Sequence, residues 1–171
     1  EAFDFSLLIG AGNAIGILGY ILAALVGEFV LTRRTTVVIW TLCGAFLFQV
    51  LVWVAEGFTA MLWFYGLMSM FFYGSAAVKF AYLAEVFPTR LRATAMSTCG
   101  SLAVTLGSAA GPLMVARAVE AWGWNLGYSV IVGVPLVFAG LLYLLLTPVP
   151  SGLEVEEVER LLDRHATQAA R

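Results

Sequence analysis

Five long stretches of this chain carry no charge, and they set the limits on how it folds. They run Phe5–Gly27, Thr35–Ala55, Gly57–Val78, Ala93–Ala116 and Ala121–Leu153. Each exceeds about 18 residues, the length a helix needs to cross the hydrocarbon core of a bilayer. A lipid-embedded chain must satisfy its backbone hydrogen bonds internally, which leaves only helices and closed barrels. These runs lack the strict apolar and polar alternation of barrel strands. The fold class expected is therefore all-α and transmembrane, with five helices near residues 5–27, 35–55, 58–85, 93–117 and 123–147, followed by a tail over 148–171.

Composition removes the competing classes. Of 171 residues, 61% are hydrophobic and 12% charged, about half the charge of an ordinary soluble domain. Nine Lys and Arg stand against eleven Asp and Glu, a net charge of -2 with no basic stripe, so nucleic acid is not an expected partner. Cys43 and Cys99 both lie in apolar runs, where a thiol behaves as a small hydrophobe. The one histidine, His165, is in the tail, so neither a His-based triad nor an H-E-x-x-H zinc site can form, and no phosphate-binding G-x-x-x-x-G-K-[ST] loop occurs. No enzyme site, cofactor or metal is expected.

Cationic residues give a direction, because basic loops stay on the cytoplasmic side. Arg33, Arg34, Lys79, Arg90, Arg92, Arg160, Arg164 and Arg171 all fall on one side of a five-helix serpentine, and only Arg117 falls on the other. The N-terminus is expected outside and the tail in the cytoplasm, with Trp53, Trp63, Trp122 and Trp124 forming an aromatic belt at the outer ends. In the tail, Ser151 and Glu154 have capping-box spacing ahead of Val155, Val158, Leu161 and Leu162, which predicts a short amphipathic helix. The acidic start, Glu1 and Asp4 without an initiator Met, predicts that Glu1 is an internal position of a longer protein.

Small residues recur inside the spans. Gly12 and Gly16, then Gly19, Ala23 and Gly27, make four-residue rows in the first helix, and Gly100, Gly107 and Gly111 repeat the theme in the fourth. Such rows let helix backbones approach closely in lipid. Pro112 and Pro135 are expected to bend the fourth and fifth helices.

The segment Ala84-Glu85-Val86-Phe87-Pro88-Thr89-Arg90-Leu91-Arg92-Ala93-Thr94 resembles the E-x-F-P-T-x-x-R signature of the major facilitator superfamily, found between the tenth and eleventh of twelve helices. Two helices earlier, Glu28-Phe29-Val30-Leu31-Thr32-Arg33-Arg34-Thr35 resembles the family's D-R-x-G-R-R loop, with Phe29 in place of the first Arg and Leu31 in place of the Gly. The resemblance covers the whole chain. It implies helices eight to twelve, a partial C-terminal bundle of a twelve-helix fold, whose partners are the lipid bilayer, the missing N-terminal helices and a small-molecule substrate. It implies a secondary transporter of the plasma membrane, moving a small metabolite such as an organic anion or a sugar by alternating access, with proton coupling. The sugar-porter and metabolite:proton symporter branches both fit. A self-contained five-helix scaffold is the alternative from another class.

Glu85 at a helix C-terminus opposes the helix dipole and needs nearby cations. The resemblance makes Glu28, Arg33, Arg34, Glu85, Arg90 and Arg92 a cytoplasmic charge network that gates the transporter. Charges that merely fix topology are the plainer reading. For the substrate site, Lys79 is the one cation well inside a span and so a functional candidate, with snorkelling to the interface its rival. A lysine in the cavity would favour an anionic substrate. Asn13 must find a partner in its glycine-rich helix, either substrate or a neighbouring helix. Tyr82, three residues from Lys79, can share its face, whereas Tyr73, six residues away, is turned from it. Gln49 falls on a helix that the resemblance makes peripheral. No carboxylate lies mid-span, so a coupling acid would belong to the missing half.

Overall fold

The computed structural model describes residues 2–87 and 89–146, and all five spans are helical. The helices are α1 (Ala2–Phe29), α2 (Arg33–Val54), α3 (Gly57–Val86), α4 and α5. Helix α4 joins an α segment, Thr89–Met96, to a π-helical stretch, Ser97–Leu102, and a second α segment, Ala103–Trp122, with right-handed helical backbone at both junctions. Helix α5 likewise passes from Trp124–Tyr128 through a π stretch, Ser129–Gly133, into Val134–Leu142 and a closing 3-10 turn, Tyr143–Leu145. All five are long and apolar enough to cross a membrane, and there is no strand among the described residues. The proposed tail helix, with Ser151 and Glu154, lies outside the described residues.

The helices run past their uncharged stretches, taking Glu28, Arg33, Arg34, Glu85, Arg90, Arg92 and Glu120 into their terminal turns and Arg117 into the turn before the last. A charged head on a long stem reaches the interface from there, so the helical backbone need not stop where charge begins. The connections are short. Thr32 caps α2, its Oγ1 accepting the Thr35 N–H at 3.3 Å, which satisfies one of the orphan donors of a helix start. Gly123 alone reverses the chain between α4 and α5, with φ 81°, a backbone region that glycine enters without the cost of a Cβ.

Helix α3 packs between α1 and α2. Its closest approach to α1 is at Gly19 and Gly74: a Cβ on Gly74 would sit 2.7 Å from the Gly19 carbonyl oxygen, and one on Gly19 would strike the Met70 backbone. Below this crossing, Ala23, Val37 and Val78 form a closed core against Trp40 and Tyr143. The upper glycines differ from the expectation of close backbone approach. Gly12 and Gly16 instead lie under the rings of Tyr65 and Tyr73. The missing Cβ there makes room for an aromatic side chain.

Helix α5 leans on α2, with Gly140 against Leu42 and Gly133 against Gln49. The π stretch of α5 presents Ser129, whose hydroxyl accepts from Trp53 Nε1 at 2.8 Å and donates to Gln49 Oε1 at 2.8 Å. Gln49 thus has a structural partner across the helix interface. Pro135 lies two residues past the end of the π stretch, so the wide turn takes up the irregularity that a proline's missing N–H imposes. Ser129→Ala should cost the full-length protein about 1–2 kcal/mol, because two interhelical hydrogen bonds vanish and membrane-buried ones average somewhat under 1 kcal/mol each. Thermal unfolding in detergent should show a Tm lower by a few degrees, and an unchanged Tm would remove the clamp.

Helix α4 has the least support. Gly100 rests on Phe80 of α3, and Ala118 and Val119 meet Gly127 of α5. Residues 101–110 are all exposed, and a Cβ added at Gly107 or Gly111 would meet no other helix within 4 Å among the described residues. The expectation that these two glycines pack a helix closely finds no partner here.

Candidate functional site

Two tight turns bring charge to one end of the bundle. The turn after Phe29 sets the last residues of α1 beside the first of α2, and the turn after Val86 does the same for α3 and α4. Glu28, Arg33, Glu85 and Arg92 therefore share a small volume. Arg33 bridges it. Its Nη2 donates to Glu28 Oε2 at 2.6 Å, and its Nη1 donates to Glu85 Oε1. One planar guanidinium, which lysine cannot imitate, ties together the ends of α1, α2 and α3. Arg33 keeps 19% of its side-chain surface exposed, against 43% for Glu28 and 27% for Glu85, so the bridge is desolvated enough to count and open enough to part.

The cluster is not fully paired. Glu85 Oε2 and Arg92 Nε are both buried without a hydrogen-bond partner, and Arg92 is within electrostatic reach of Glu85. Beside the bridge a groove of about 230 Å³ runs between α1 and α3, floored by Ala24, Gly27, Ala77 and Ala81. Arg34 has a different duty. Its Nη1 donates to the Leu146 carbonyl at 2.8 Å and the Leu144 carbonyl at 3.4 Å, closing the last turn of α5, where helix carbonyls lack internal partners and carry partial negative charge. Arg90 is exposed. Of the six charged residues expected to form one network, Glu28, Arg33 and Glu85 are joined directly, Arg92 stands next to them, and Arg34 serves another helix.

A polar pair lies near the middle of the 30-residue α3. The Tyr73 hydroxyl donates to Asn13 Oδ1 at 2.7 Å. The Tyr73 ring rests over Gly16, with the Tyr20 ring 5.8 Å from it and tilted by 35°. Asn13, Tyr20 and Tyr73 are all exposed. Tyr82 is nine residues from Tyr73, half a turn out of phase at 100° per residue, and is fully buried, its ring edge-on to Tyr143 of α5 at 6.3 Å. It backs the opposite face of α3.

Lys79 is partly buried, about 9 Å along α3 from Tyr73. The Cα–Cβ bonds of a helix tilt toward its N-terminus, which for Lys79 is the direction of the middle of α3. No carboxylate pairs with it among the described residues. Sequence reasoning set Tyr73 aside for being turned from Lys79 and passed over Tyr20. The available signal was the i, i+3, i+7 spacing of Asn13, Gly16 and Tyr20, which puts an amide, a gap and an aromatic ring on one face of α1.

A chain of five spanning helices, joined at one end by a breakable ionic bridge and carrying exposed polar groups at mid-span, has the parts of a membrane transporter. The chain matches the family model of the Major Facilitator Superfamily over residues 2–168, and it belongs to that family. It is thus a multi-pass integral membrane protein of a family of transporters. No curated protein and no solved structure matches it.

Proposed function

We propose that these five helices are the eighth to twelfth of a secondary transporter that moves a small organic anion across the plasma membrane by alternating access, with proton coupling. A sugar is the second substrate class that the sequence motifs admit. The charged end faces the cytoplasm on this reading, in keeping with the basic-loop count, and the start of α1 faces out. The observation that carries it is the Arg33 bridge, which holds three helix ends by contacts that water and competing charge can replace. Such a bridge suits an inner gate that closes while the outside is open. Transporters of this kind bind substrate near the bilayer midplane, and Lys79 and Asn13 are the contacts proposed there. Tyr82, packed on Tyr143, serves the site by holding α3 to α5.

The test is Lys79→Ala in the full-length transporter, with uptake measured for a panel of carboxylates. A charge-assisted hydrogen bond contributes about 1.5–3 kcal/mol, so the KM of the transported anion should rise roughly tenfold to a hundredfold with normal surface expression. Unchanged kinetics for every transported anion would remove Lys79 from the site.

A further inference from the structure

We propose that Tyr73 is a positioning residue that turns the Asn13 amide into a donor-only subsite, which takes an oxygen acceptor carried on a compact ring. The inference rests on the transport reading above and adds a specificity device to that same cavity.

The amide of Asn13 has two kinds of polar edge, an acceptor oxygen and a two-proton donor nitrogen. The Tyr73 hydroxyl occupies the oxygen at 2.7 Å, so the donor edge is what remains for anything entering from the exposed side. The ring of Tyr73 packs over Gly16, whose missing Cβ makes room for it, and beside the Tyr20 ring at 5.8 Å. With its hydroxyl on the Asn13 oxygen, this placement orients the amide.

The donor edge cannot be meant for lipid. An amide N–H without a partner in hydrocarbon costs about 2 kcal/mol or more, and Asn13 is in the interior of a spanning helix. Water, a ligand or a polar group from a neighbouring helix must reach it. What lies beside it is aromatic: Tyr20 and Tyr73 are 41% and 37% exposed, and their tilted faces give a flat or C–H-rich ring a surface to rest on. A ligand with an acceptor oxygen projecting from such a ring satisfies both parts at once. A ligand presenting only a donor meets two N–H groups and is rejected, because an unpaired buried donor costs more than a hydrogen bond gains.

Neutral probes separate this subsite from Lys79. Cyclohexanone offers only an acceptor, and cyclohexanol offers the same ring with either a donor or an acceptor. Their affinities for the purified full-length transporter are measured by saturation-transfer NMR in detergent. Asn13→Ala should weaken cyclohexanone roughly threefold to tenfold, the equivalent of one net hydrogen bond. The isosteric Tyr73→Phe frees the Asn13 oxygen and lets the amide turn, so cyclohexanol should gain on cyclohexanone by about the same factor, a change of ratio that mere loss of packing does not produce. Lys79→Ala should leave both uncharged probes unchanged. Binding of neither probe in an Asn13-dependent manner, or an unchanged ratio in Tyr73→Phe, overturns the proposal. Neutral-probe results as expected beside unaffected anion uptake in Lys79→Ala would instead sink the anion reading and keep the subsite.

Discussion

Arg33→Ala in the full-length transporter should slow turnover by more than tenfold while leaving substrate affinity within a few-fold of wild type. The substitution leaves Glu28 and Glu85, both now bound to the one guanidinium, facing each other without a cation between them. Removing one partner from a fully buried pair costs about 3–5 kcal/mol. Here a fifth to two-fifths of the side-chain surface is exposed, and solvent screening brings the figure down to about 2 kcal/mol. Spread over the balance between closed and open inner gates, that is a shift of roughly thirtyfold. Arg33→Lys should fall between, since it keeps the charge and loses the fork that serves two carboxylates. Proteoliposome uptake compared with substrate exchange at equilibrium reads the difference between cycling and binding. Normal cycling with a large loss of affinity would contradict the gate.

Gly19→Val should have the largest effect on folding. The new side chain would meet the carbonyl and Cα of Met70, and backbone cannot step aside as a rotamer does. Overpacking that forces backbone shifts costs about 1–3 kcal/mol and sometimes more, and the crossing has no slack on its other wall, since a Cβ on Gly74 would sit 2.7 Å from the Gly19 oxygen. The monodisperse peak in fluorescence-detected size exclusion should fall at least severalfold. Gly12→Ala is the control, because its clash is with the Tyr65 ring, which can swing away. Equal behaviour of the two variants would mean that α1 and α3 do not cross where the structure has them.

Helix existence was legible because charge is so costly in hydrocarbon that its absence marks the spans. That Glu85 would have cations of the neighbouring loops beside it, Arg33 among them, was legible for a related reason. Both sit at helix ends that a short turn must bring to one side, so topology alone makes them neighbours. Contacts between helix middles were not. Helix α3 is apolar around its whole circumference, and nothing in its pattern says that Tyr73 turns toward α1 while Tyr82 turns toward α5. The same uncertainty hid the duty of Arg34. It stands beside Arg33 in the chain, yet a rotation of 100° between successive residues aims it at the carbonyls of Leu144 and Leu146 instead of at the carboxylates. Glycine spacing showed where backbones could meet, and among the described residues the structure uses Gly19 and Gly74 for that between α1 and α3, and Gly127 between α5 and α4.

The sparse support of α4 has a mechanical side. With bearings at Gly100 on Phe80 and at Ala118 and Val119 on Gly127, and no contact at Gly107 or Gly111 among the described residues, the helix is a beam resting on two supports. Pro112 removes one rung of its internal ladder within the free span, and the π stretch widens it at the Gly100 support. The span and one of its supports thus each carry a soft joint. A sideways load at mid-length would bow α4 with its supports in place.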